Sequence, residues 1–183
     1  VVVSMPVLAV LWTLLYQPAQ GTEMGPINAV LSALGVGPRA WLTDPQLALS
    51  ALAFMSIWQG VGLQMMIFLS GLQGVSPELL DSARIDGANG IQRVLYVIIP
   101  ALKPTIVFVV TVTTILAFRL FVQPYLMTRG GPGNSTRSLI QTIYEMTFIG
   151  GDLGRACAAA LLFLIWVAFL TLLQRIFSRD SAL

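Results

Sequence analysis

The sequence predicts an all-α fold, a polytopic bundle of transmembrane helices. Three observations carry that reading. The chain is 56% hydrophobic and 10% charged, with a mean hydropathy of +0.83, far from the composition of a soluble globular domain. Long runs lack charge altogether, from Pro45 to Pro77 and from Ala156 to Gln174. Charge is instead concentrated between two apolar runs: Glu78, Asp81, Arg84, Asp86, Arg93 and Lys103 all fall between Ser76 and Pro104. A polar, helix-forming insert between two spans sits in water on one side of the bilayer, where a soluble partner reaches it.

The same composition excludes several functions. The net charge of +2 is small and the basic residues are dispersed, which is no footprint for nucleic acid. There is no His, and the single Cys157 forms no internal disulfide and builds no metal site alone. No phosphate-binding GxxxxGKS or GxxxxGKT loop occurs, and no Ser/His/Asp or Cys/His cluster. The chain is expected to bind no cofactor or metal and to be no enzyme.

Each element follows in order. Val1 to Tyr16 is apolar but, at about 24 Å of helix, falls short of the roughly 30 Å hydrocarbon core. It reads as most of a span whose beginning is missing, with Trp12 and Tyr16 suited to the headgroup interface. Residues 18–44 read as a loop punctuated by Gly and Pro. The next span, about 46–71, carries Gly60 and Gly62, which permit close helix contact. Its polar residues Ser56, Gln59 and Gln64 must face protein or a water-filled path, because an amide in lipid is costly. Ser56 and Gln59 share a face at i,i+3, and Gln64 lies well round from them. Interhelical hydrogen bonding and the lining of a solute path both remain open for these three.

The run 104–127 predicts another span, interrupted by Arg119, which lies roughly 4–5 Å along the axis from its centre. On a continuous helix Gln123 shares its face at i+4. The pair presents donors to hydroxyls or to an anionic group. The alternatives are that Arg119 snorkels outward or pairs with an acid on a partner chain. Pro124 is expected to bend the outer end. The string LMTRGGPGNST, Leu126 to Thr136, turns the chain back. Ser135 or Thr136 is expected to cap an amphipathic helix with Leu139, Ile140, Ile143, Tyr144, Thr147 and Phe148 at helical spacing, a docking surface or an interfacial helix. A last span, about 155–175, begins with the small residues Ala156 to Ala160.

The insert is locally readable. Ser76 suits the N-cap, Pro77 the first helical position, and Glu78 the positive end. The helix runs to about Asp86, with Leu79, Leu80 and Ala83 as its apolar side and Asp81 paired with Arg84. Gly87 ends it. A second helical pattern follows through Ile91, Leu95, Ile98 and Ile99, and Pro100 and Pro104 punctuate the start of the next span.

This segment resembles the EAA loop of binding-protein-dependent ABC importer permeases. That motif runs Glu-Ala-Ala, three residues, Gly, nine residues, Ile, one residue, Leu-Pro. Asp81-Ser82-Ala83 stands for the opening triplet, Gly87 keeps its spacing, and Val97, Ile99 and Pro100 complete it. Asp81 for Glu, Ser82 for Ala, and Val97 with Ile99 for Ile and Leu are departures that leave the spacing intact. Three further features resemble the sugar-permease (maltose-type) branch. They are Asp86-Gly87-Ala88, the pattern Trp12, Leu15, Tyr16, Pro18, Gly21, and LMTRGGPGNST beside that branch's LTxGGPxxST.

The resemblance implies a type I ABC importer permease fold with a cytoplasmic coupling-helix loop at 76–104, in one transmembrane domain over 1–183. Such permeases have about six spans, so the N-terminal spans are expected to be absent from this chain. It also sets orientation, which the basic residues do not: Arg84, Arg93, Lys103, Arg175 and Arg179 would lie inside, against Arg39, Arg129, Arg137 and Arg155 outside.

The implied ATPase-coupling residues are Glu78, Leu79, Leu80, Asp81, Ser82, Ala83, Arg84, Asp86, Gly87 and Pro100. The candidate substrate path is Ser56, Gln59, Gln64, Arg119 and Gln123. Implied partners, in a bacterial or archaeal cytoplasmic membrane, are a second homologous permease, two cytoplasmic ATPase subunits that hold the ATP and Mg, and an extracytoplasmic solute-binding protein. The implied solute is a sugar or sugar-like molecule, moved by alternating access. The alternatives are an ABC permease for an anionic solute such as a phosphodiester, and an ion-coupled secondary transporter. The absence of Asp and Glu from the main spans counts against the latter.

Overall fold

The computed structural model describes residues 3–18 and 24–179, with side chains through Gln174. Gly21 and the side chains of Arg175 and Arg179 lie outside the described residues. Helices make up all the regular structure among the described residues: α1 (Met5–Leu15), α2 (Pro26–Ala33), α3 (Ala48–Gln73), α4 (Pro77–Ile85), α5 (Gly90–Arg93), α6 (Ile99–Ala101), α7 (Lys103–Phe118), α8 (Leu139–Phe148) and α9 (Leu153–Arg179). Two π turns join them, Val94–Ile98 between α5 and α6, and Pro124–Thr128 after α7. Over Ala48–Gln73 and Leu153–Gln174, α3 and α9 are long and apolar enough to cross a membrane. The segments Gly90–Ala101 and Lys103–Phe118 pass the same test together, bent by 67° at their junction.

The chain divides into two compact units, Val1–Gly60 with Phe118–Ile165, and Val61–Ala117 with Trp166–Leu183. In the first unit, α1 packs on the start of α3 through Leu8, Ala9, Trp12 and Tyr16 against Ala51, Leu52 and Met55. The Trp12 ring meets Phe54 and Trp58 edge-on, and the Tyr16 hydroxyl donates to the Ala51 carbonyl at 3.0 Å.

Residues 18–44 are not all loop: Pro26 opens α2, with Gly25 as its N-cap. A Cβ on Gly25 would fall 2.6 Å from the Leu15 carbonyl, so only glycine lets α2 start so close to the end of α1. Asn28 then ties the segment down. Its amide donates to the Gln17 and Arg39 carbonyls and accepts from the Arg39 N–H and the Trp41 indole, all at 2.9–3.0 Å.

The continuous helix expected over 104–127 does not form. α7 ends at Phe118, residues 119–121 are unwound, and helix resumes at 122 into the second π turn. Pro124 supplies the physical reason. It has no N–H for the Leu120 carbonyl, and its ring crowds that carbonyl. Arg119 and Gln123 therefore do not share a helical face.

In the second unit, α3 and α7 pass closely at Gly71, where a Cβ would lie 2.6 Å from Thr105 Oγ1. Pro100 and Pro104 flank the 67° bend and each removes a backbone donor there, the usual cause of a sharp kink.

Candidate functional site

The polar insert folds as the most fully capped stretch of the second unit. Ser76 Oγ accepts from the Glu78 N–H at 3.2 Å, closing the N-terminus of α4. At the other end the Gly87 N–H bonds the Arg84 carbonyl and the Ala88 N–H bonds the Ala83 carbonyl, at 3.1 and 3.0 Å. That pair of bonds is a Schellman stop, and it needs the left-handed φ of 78° that Gly87 adopts. Asn89 and Gln92 then form a reciprocal capping box at the start of α5, each bond 2.9 Å long.

The insert's surface differs from the expected apolar side. Ala83 is buried, and α4 lies against the π turn Val94–Ile98. Leu80 is half-buried, whereas Leu79 and the unanticipated Ile85 are 54% and 86% exposed. Glu78, Asp81, Ser82, Arg84, Asp86, Gly87 and Pro100 are exposed. The Asp81–Arg84 pair is 2.9 Å long and open to solvent, so it orients the surface more than it stabilises it. What α4 offers outward is a rim of charge around Leu79 and Ile85. Ala83 holds the helix in place.

The polar span residues fall in two groups. In the first unit Gln123 is buried, and its Nε2 reaches Ser56 Oγ at 3.5 Å, while Ser56 also donates to the Leu52 carbonyl at 2.8 Å. Gln59 is half-buried and Arg119 is exposed. In the second unit, Gln64 Nε2 donates to Thr113 Oγ1 on α7 at 3.0 Å. Beside it, Gln174 Nε2 of α9 donates to Thr114 Oγ1 at 3.0 Å. Adjacent threonines on α7 thus receive one amide each from α3 and α9. Thr113, Thr114 and Gln174 escape sequence reasoning because polar residues in separate apolar runs carry no signal of which ones meet across helices.

The string Leu126–Thr136 is a built turn. Thr136 is buried and bonds Thr128 Oγ1 at 2.6 Å and the Gly131 carbonyl at 2.8 Å. The cap of α8 is Ser138, which accepts from the Gln141 N–H at 3.1 Å; Ser135 and Thr136 do not cap it. Gln141 is buried and donates to Glu145, which pairs with Arg137. The Tyr144 ring packs tilted against Phe121 and Phe148 and edge-on to Tyr125, and Arg129 sits 5.0 Å over the Tyr125 ring.

Residues 1–182 match the family described as binding-protein-dependent transport system inner membrane component. The chain belongs to this family.

Among curated relatives of this permease, Probable ABC transporter permease protein YurN of Bacillus subtilis (strain 168) is 36% identical over 183 residues, covering 99% of this chain and 61% of that protein. Sulfoquinovosyl glycerol transport system permease protein SmoG of Agrobacterium fabrum is 38% identical, covering 75% of this chain and 45% of its own. Trehalose/maltose transport system permease protein MalF of Thermococcus litoralis is 32% identical, covering 88% and 53%. The chain thus spans about six tenths or less of the length of these relatives.

Two solved structures share the fold. A bacterial alginate ABC transporter in complex with an alginate pentasaccharide-bound periplasmic protein superposes with a TM-score of 0.86 at 22% identity, covering 98% of this chain and 61% of that one. An ABC transporter involved in import of the acidic polysaccharide alginate gives 0.81 at 21%, covering 98% and 62%. The all-helical ABC-importer permease fold expected from the insert and the turn string is the fold observed.

Proposed function

We propose that this permease forms part of the membrane path of an ATP-driven importer, moving a sugar or sugar-like solute across the cytoplasmic membrane by alternating access. The observation that carries the reading is the double-capped insert, a short rigid helix with exposed Leu79 and Ile85 that leads through a bent segment into α7. Such a helix seats in a cleft of a cytoplasmic ATPase subunit. Leu79 and Ile85 supply apolar contact there, and Glu78, Asp81, Arg84 and Asp86 set orientation. Gly87 and Pro100 mark the points where a push on α4 turns into movement of α7.

ATP and Mg are held by the partner subunits, and this chain supplies no catalytic group. A second homologous permease completes the path, and an extracytoplasmic binding protein delivers the solute. Ser56, Gln59 and Gln123, with Gln64 and its partner Thr113, supply amide and hydroxyl groups of the kind that recognise sugar hydroxyls.

Purification in gentle detergent from the native membrane tests the assembly. Co-purification of a nucleotide-binding chain with a GxxxxGKS or GxxxxGKT loop, and of a second EAA-bearing permease, is the expected result. Recovery of the chain alone, under conditions that keep other membrane complexes together, would remove the importer reading.

A further inference from the structure

Side chains hold α7 at two levels within the second unit. Near its start, Gly71 lets α3 come close: a Cβ there would lie 2.6 Å from Thr105 Oγ1 and 3.1 Å from a Leu102 methyl. This contact sits at the 67° bend through which the insert leads into α7. Two amide contacts follow beyond Thr105, roughly 12–14 Å along the helix. Gln64 of α3 donates to Thr113, and Gln174 of α9 donates to Thr114, each at 3.0 Å.

The two threonines are adjacent, so their side chains point about 100° apart around α7. Thr114 has already given its own proton to the Val110 carbonyl, at 2.8 Å, and meets Gln174 as an acceptor alone. Donors on two different helices reach both hydroxyls in one rotational setting of α7. A turn of α7 by a single residue position carries both away together. That setting is also incompletely satisfied. Gln174 Oε1 is buried and finds no hydrogen-bond partner among the described residues, a cost that another setting of α7 against α9 need not bear.

The contacts make α7 a lever. α4 lies against the π turn ahead of the bend, where a push arrives. Gly71 is a contact point with no side chain to interlock, and the two amides grip the far arm. Interhelical hydrogen bonds in membranes shift an equilibrium by roughly 3- to 20-fold each, enough to hold a helix and still let it go.

We propose that the Gly71 contact is a fulcrum, and that Gln64 and Gln174 are positioning residues, twin latches that keep α7 in its rest setting until a push on the insert releases both. This rests on the importer reading above and deepens it. Release also frees the Gln64 amide and the Thr113 hydroxyl, two of the groups offered above for a sugar.

The test uses the complete importer with its partner subunits and binding protein, reconstituted in nanodiscs, and reads ATP hydrolysis without solute. Gln174→Leu and Thr114→Val are each expected to raise that rate about threefold or more, the loss of one such bond. The double variant should rise no further, because the two changes remove the same bond. Thr114→Ser keeps the hydroxyl and should stay near the parent rate. A role in stability alone predicts no such rise. An unchanged or lowered rate in either well-assembled variant, Gln174→Leu or Thr114→Val, overturns the inference and leaves the importer reading intact. A complex that purifies without an ATPase chain overturns the importer reading itself.

A second readout stands apart from turnover. In a Gln64→Cys, Thr113→Cys, Cys157→Ala variant, which leaves the α9 latch in place, a short bifunctional methanethiosulfonate is expected to bridge the two thiols in the nucleotide-free complex. Bridging should slow by about threefold or more when the complex is held with ATP and orthovanadate. Equal bridging in the two states means that α7 does not leave α3, and overturns the latch.

Discussion

Gly87→Ala isolates the stop of the insert helix better than any other single change. No atom lies within 4 Å of where its Cβ would stand, so the substitution introduces no clash. What it introduces is a side chain on a residue held at φ 78°. The left-handed conformation costs a non-glycine residue about 1–2 kcal/mol. That shifts the balance between a closed stop and a frayed one by roughly 5- to 30-fold. Both capping bonds, Gly87 N–H to Arg84 and Ala88 N–H to Ala83, share the loss.

If α4 transmits force as a rigid piece, fraying its end uncouples ATP hydrolysis from solute. Solute-stimulated ATPase activity of the reconstituted importer is the assay, with assembly checked by co-purification. Gly87→Ala should lower stimulation. Gly87→Asn should lower it less, because asparagine tolerates this region. Gly87→Pro should lower it most, because proline fixes φ near −65° and removes the donor. Equal stimulation in all three well-assembled variants would refute the claim that the stop matters for coupling.

Other outcomes follow from the same geometry. Asn28→Ala strands the Trp41 indole, the Arg39 N–H and two carbonyls, and should destabilise the first unit by about 2–4 kcal/mol, at roughly 1 kcal/mol per bond; a thermal shift in detergent measures it. Gly25→Ala drives a Cβ onto backbone oxygens of Leu14 and Leu15 that cannot rotate away, and should cost about 1–3 kcal/mol in the same measurement. Ile85→Asp, at an 86% exposed position, should leave membrane yield unchanged while weakening retention of the ATPase chain on co-purification. A double-mutant cycle of Gln64→Ala and Thr113→Val should show a coupling of about 0.5–2 kcal/mol in stability, in line with interhelical hydrogen bonds in membranes.

The sequence carried the insert almost whole. Ser76, Pro77, Glu78 and Gly87 act locally, each through its own backbone preference, and each sits where that preference places it. The fold class was equally legible, because long uncharged runs leave few alternatives.

Tertiary contacts account for the misses. Ala83 looks like one more apolar residue on α4, and only the packing of that helix on the following π turn shows it buried. The unwinding at 119–121 was half visible: Pro124 announced a bend, but the break falls at the carbonyl four residues earlier. α2 hid inside a loop because Gly25 and Pro26 serve equally well as turn residues and as a helix start. Ser138 wins the cap of α8 because Thr136 is already committed to Thr128 and Gly131.

A photo-reactive amino acid placed at Ile85, in cells making the whole importer, tests the central claim most directly. The coupling account predicts an adduct to a nucleotide-binding chain carrying a GxxxxGKS or GxxxxGKT loop, and none from the same probe at Leu161 on the exposed apolar face of α9. Adducts from Ile85 to lipid alone, or to no chain of that kind, would contradict it.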